Sequence, residues 1–114
     1  MELIYINNKY STDQMEWFRK NNVVLPVVDN LYTVRELVKP SAKEGMGVLL
    51  EEIRNAKVKV WHPIMNSDTW VEPSFSISRF TTLSGEPLSR EMIEEMKKGI
   101  TIKQIDNGND NVLR

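Results

Sequence analysis

The sequence predicts a β-rich α+β fold, and three observations carry that expectation. Between Leu31 and Leu83 lie strand-like runs rich in β-branched and aromatic residues: Leu31 to Val38, Gly47 to Ile53, and Val71 to Leu83. Each ends at Gly, Pro, Asn or Ser, the residues that separate strands. Two shorter stretches, opening at Ser11 and Ser89, carry helix start signals instead. The chain has 114 residues, 40% of them hydrophobic and 27% charged, a globular balance that suffices for one domain with one core.

In chain order, the apolar run Glu2 to Asn7 reads as a first strand and Asn7 to Tyr10 as a turn. Ser11 with Gln14 three places on forms a capping box, in which each side chain bonds the other residue's backbone N–H. The helix so started ends at Asn21-Asn22, with Met15 and Phe18 on its core-facing side, and is short enough to depend on tertiary packing. Val23 to Val28 reads as a further extended segment, with Pro26 marking an edge or a strand start. Residues 1–30 thus form an amino-terminal extension, and the β-core follows over 31–83.

Within that core, Lys39 to Gly47 is a loop in which Gly45 and Gly47 supply backbone freedom. Val58 and Val60 alternate with lysines, the pattern of an exposed strand or an inserted loop. Trp61 to Trp70 reads as a long turn carrying two large aromatic residues. Phe75 and Ile77 share one parity but Phe80 falls on the other, so a bulge or one turn of 3₁₀ helix is expected near Ser78-Arg79. Ser89 caps a second helix over Arg90 to Lys98, with Glu91 and Lys97-Lys98 matched to its dipole and Gly99 as C-cap. Met92, Ile93 and Met96 face the core. Ile100 to Ile105 is a final strand, so 84–105 supplies a helix and strand, and 106–114 is a polar tail.

Composition also excludes. With no cysteine there is no disulfide framework and no thiolate chemistry. No apolar run approaches membrane-spanning length, and no signal pattern opens the chain, so the expected setting is the cytoplasm without a membrane partner. A net charge of −1 speaks against coating nucleic acid by bulk charge and weakly favours self-association as a homo-oligomer.

No motif for catalysis or metal binding is present, and no cofactor is called for. His62 is the sole histidine and has no ligand-spaced partners. Glu51 and Glu52, if alternate along a strand, point to opposite faces and cannot work as an acid–base pair. Asp106 to Asn111 lacks the terminal glutamate of a calcium loop. Serines occur without a nucleophile elbow.

Tyr32-Thr-Val-Arg35, Gly47-Val-Leu-Leu-Glu-Glu-Ile-Arg-Asn55 and Glu72-Pro-Ser-Phe-Ser-Ile-Ser-Arg-Phe80 together resemble a widespread group of small phage and bacterial proteins. The resemblance covers about half the chain. It implies an SH3-like β-barrel whose Ser78-Arg79-Phe80 stretch is a 3₁₀ turn before the last strand, and it implies a mobile-element or phage context. The chain departs from the group in its amino-terminal strand and helix and in the insertion holding Trp61 and Trp70. The group carries no activity to transfer.

The candidate ligand-binding residues are Arg35, Arg54 and Arg79 with Trp61, Trp70 and Phe75. Guanidinium forks bind phosphate bidentately and aromatic faces stack on bases. The competing reading pairs Arg35 and Arg79 with Glu36, Glu51, Glu52 or Glu72 and assigns the tryptophans to the core. The expectation is a non-enzymatic phage or prophage binding protein of the host cytoplasm, with a nucleotide-like signalling ligand as its leading partner. A host protein, inhibited or bridged through Trp61 and Trp70, is the alternative; a nucleic-acid module is the weaker one.

Overall fold

In the computed structural model, which describes residues 1–39, 46–62 and 66–104, β2 (Leu31–Lys39) organises the molecule. Its first half pairs antiparallel with β1 (Glu2–Tyr5) through Leu3↔Tyr32, and its second half pairs parallel with β8 (Thr101–Gln104) through Leu37↔Ile102. β3 (Gly47–Leu50) runs antiparallel to it. β6 (Phe75–Ser76) adds to β3, and β7 (Phe80–Thr81) adds to β1. The sheet therefore reads β6-β3-β2-β1-β7 with β8 against β2, and no closed barrel forms among the described residues.

The β2–β3 register shifts between Val34 and Glu36, so Arg35 is an extra residue in the ladder. Such a bulge resets side-chain parity. It explains why Tyr32, Val34 and then Leu37 all enter one core although their spacing is not a strict alternation. That core also takes Leu3, Tyr5, Val48, Leu50, Phe75, Ile77, Phe80 and Met96. Val38 and Leu49 pack on each other separately.

The expected parity break after Phe75 is a 3₁₀ turn over Ile77–Arg79, and Phe75, Ile77 and Phe80 are all buried. Phe80 meets the Tyr5 ring edge-on at 5.2 Å. The capping box at Ser11 is present, starting α1 (Thr12–Lys20). Ser89 caps α2 (Arg90–Gly99), accepting from the Met92 N–H at 3.2 Å.

Several expectations are corrected. Val23 to Val28 is not a strand: its backbone bonds go to side chains and to local turns, the Val23 N–H donating to the Phe18 carbonyl and the Val27 carbonyl accepting from the Asn30 N–H. The Val24 N–H donates to Asn55 Oδ1 (2.8 Å) while Asn55 Nδ2 donates to the Val24 carbonyl (3.0 Å), and the Val27 N–H donates to the Tyr32 hydroxyl (2.7 Å). The third run stops at Leu50, where the chain bends at Glu51-Glu52. Trp61 and Trp70 lie on strands rather than in a turn: β4 (Val58–His62) and β5 (Ser67–Val71) form a hairpin outside the main sheet. Of the two residues expected on the inner face of α1, Phe18 is partly buried but Met15 is exposed, and Gln14 and Trp17 take its place. Gly99 is the last helical residue, because the Ile100 N–H closes onto the Met96 carbonyl and the chain leaves extended into β8. The turn glycine Gly45, the tail 106–111 and the His62 side chain lie outside the described residues.

Candidate functional site

The capping box and one arginine build a concavity between α1 and the strand–3₁₀–strand unit. Arg79, carried by the 3₁₀ turn, lays its guanidinium over the Tyr10 ring at 3.8 Å. Its Nη1 donates to the carbonyls of Asn7 and Lys9, both at 3.0 Å, and to Asn7 Oδ1 at 3.2 Å. These bonds fasten the 7–10 turn to the sheet. Tyr10 in turn shares a 2.8 Å hydrogen bond with the buried Tyr5 hydroxyl. Burial pushes the Tyr5 phenol far above its ordinary range, the bond to Tyr10 adds to that rise, and Arg79 opposes it.

With Tyr10 fixed just ahead of Ser11, α1 leaves the turn at a set angle. Phe18 then meets Tyr10 edge-on at 4.9 Å, and Trp17 meets Phe18 at 5.8 Å. This aromatic wall faces Ser74, Phe75 and Ser76 across a groove of about 280 Å³. Asp13, Gln14 and Arg79 supply polar groups at its edges, so its charged lining is one carboxylate and one guanidinium. Small-molecule sites are of this kind, apolar walls with a few placed polar groups, and typically span about 300–1,000 Å³. This groove sits at the small end and suits one ring system.

Of the residues expected from sequence, Phe75 and Arg79 meet in the groove. The other four do not join them. Arg35 is internal: its Nη2 contacts the Glu72 carboxylate at 2.7 Å and its Nε donates to the Leu50 carbonyl at 3.1 Å, with both ionic side chains under 15% exposed. The Asn55 N–H also donates to Glu72. This is the competing, structural reading of Arg35. Arg54 is exposed and paired with Glu51 at 3.1 Å. Trp61 and Trp70 stand on the outer face of the hairpin, 57% and 59% exposed.

Glu51 and Glu52 do separate, though in a bend rather than along a strand. Glu51 goes to Arg54, and Glu52 accepts the Thr33 N–H at 2.8 and 3.0 Å. Burial acts to raise the Glu52 carboxyl, but the Thr33 bonds outweigh it and hold it below the usual range. Among the described residues no cluster of His, Cys, Asp or Glu offers a metal site. No described helix is long and apolar enough to cross a membrane.

Tyr10 and Trp17 escaped the sequence reading, and Phe18 entered it only as a helix-face residue. Their signal is positional: three aromatic residues within positions 10–18, two of them on the helix stripe shared with Gln14 and Asn21. No family model, no curated protein and no solved structure matches the chain.

Proposed function

We propose that the chain is a non-enzymatic binding protein of phage or prophage type, acting in the host cytoplasm, whose groove takes up one ring-bearing, nucleotide-like ligand. The observation that carries this reading is α1. It has nine residues, too few to hold itself together in water, and yet none of them is buried. Trp17 and Phe18 stay half-exposed because they lean over a groove instead of a packed core. A flat ring between this wall and Phe75 would bury both. Arg79 at the edge suits a single phosphate or a polar base edge, while Asp13 disfavours a polyphosphate. A cyclic mononucleotide fits that charge balance better than a nucleoside triphosphate. The SH3-like character of the sheet belongs to the same proposal, supported by the strand–3₁₀–strand unit from Phe75 to Thr81.

The test uses a variant with Trp61→Phe and Trp70→Phe, which leaves Trp17 as the fluorophore. Titration with bases, nucleosides and linear and cyclic mononucleotides is expected to quench Trp17 saturably and raise the melting temperature. Trp17→Ala abolishes binding while the sheet remains folded. A panel that moves neither fluorescence nor melting temperature removes this reading.

A second reading, an inhibitor or adaptor of a host protein, draws on the exposure of Trp61 and Trp70. Capture of one host protein by the parent chain and not by a Trp61→Ala/Trp70→Ala variant would favour it.

A further inference from the structure

The β4–β5 hairpin presents an outer face of four side chains in a two-by-two block. The register pairs Lys59 with Trp70 and Trp61 with Asp68, so all four share one side of the ribbon. The tryptophans occupy one diagonal, and Lys59 and Asp68 the other. The inner side carries the buried Val58 and Val71, which anchor the hairpin at its base. Lys59 lies 5.8 Å from the Trp70 ring centre and 3.8 Å from Asp68, a long contact between half-exposed groups. Such a pair holds little energy inside one molecule and leaves both charges able to bond elsewhere.

We propose that this face binds a second copy of the chain, forming a two-fold dimer. The argument is self-complementarity. A face-to-face dimer needs its axis in the plane of the interface. An axis along the Trp61–Trp70 diagonal stacks each tryptophan on its own counterpart and lays each Lys59 against the Asp68 of the other copy. The contact then has an aromatic centre with two neutralising ion pairs beside it, the layout of an interface hot spot with a polar rim. The block has no net charge, and the whole chain carries only −1, so repulsion between copies is small.

Its strength follows from its size. Aromatic side chains bury about 150–250 Å² each, and these are already partly covered, so four indoles supply less than the roughly 1,200 Å² of a standard interface. The dimer forms in the micromolar range and exchanges freely. It lies on a different surface from the groove and stands or falls independently of what the groove holds.

The test is sedimentation of the full chain from low micromolar to near-millimolar concentration, where a concentration-dependent dimer is expected. Trp61→Ala or Trp70→Ala should each weaken association about 30-fold, as loss of a hot spot does. Charge reversal separates contacts between copies from contacts within one. Lys59→Asp makes the face acidic and Asp68→Lys makes it basic, so neither variant self-associates. Mixed together they should form a heterodimer, although the pair inside each hairpin remains repulsive. A parent chain that stays monomeric at near-millimolar concentration overturns the proposal and leaves the face to a different partner. So does a dimer that ignores the tryptophan changes, or a mixture of the two charge variants that stays monomeric.

Discussion

Removing the Arg35 guanidinium would leave the Glu72 carboxylate mostly buried with, among the described residues, only the Asn55 N–H of its present partners. Breaking one side of a buried ion pair costs about 3–5 kcal/mol, because the remaining charge is stranded. Arg35→Ala and Glu72→Ala are each expected to lower the unfolding free energy from urea titration by that amount, and their double variant by much less than the sum. Arg35→Lys keeps the charge but not the fork, and should fall between. The sequence left Arg35 open between ligand and partner because nothing in its type distinguishes the two. The deciding signal was the broken parity at Tyr32, Val34 and Leu37, which shows a bulge and an arginine released from the ladder. Tyr5 gives a pH test at the same scale. Its folded-state proton is held more tightly than the unfolded phenol, whose ordinary value is 10.0. Its stabilising contribution is therefore complete below pH 10 and falls as pH rises past it. Alkaline titration of the melting temperature should show a decline there that Tyr5→Phe makes shallower.

Among the elements, the 3₁₀ turn at Ile77–Arg79 was legible and α1 was legible only in part. The turn declared itself because Phe75, Ile77 and Phe80 cannot share a core on a straight strand. Phe80 is 2% exposed, so Phe80→Ala is expected to cost about 3–5 kcal/mol in chemical denaturation, with the α1 groove disturbed through Tyr5 and Tyr10. For α1 the capping box placed the start and Phe18 was put on the right face, but Met15 was wrongly put beside it. The stripe Gln14, Trp17, Phe18 and Asn21 has the better helical spacing. Val23 to Val28 was misjudged for another reason. Its composition is that of a strand, but side chains of Asn55 and Tyr32, distant or oblique in sequence, take the bonds a neighbouring strand would have made. No local pattern contains that information.

Across the whole molecule the β4–β5 hairpin and the main sheet share no strand pairing among the described residues. A two-stranded ribbon is marginal alone, whereas β1, β2 and β3 close on a common core. Native-state hydrogen exchange of dilute protein should therefore find the amides of Val58–His62 and Ser67–Val71 opening locally. Those of β1, β2 and β3 should exchange only with global unfolding, and equal protection in both sets would refute the division. The β-rich α+β class could be read from the sequence because strand and cap signals are local; the order of strands could not, since the parallel β2–β8 pair joins segments far apart in the chain. That pair has a consequence in time. Ribosomes add about 5–20 residues per second, so β2 leaves the tunnel roughly 3–13 s before β8 does. Until then the backbone of Glu36 to Lys39 offers unpaired donors and acceptors beside the apolar Leu37 and Val38. Two nascent chains on one messenger, spaced a ribosome apart, expose that same strand edge to each other during the interval, and crowded translation is where this sequence is most exposed to mispairing.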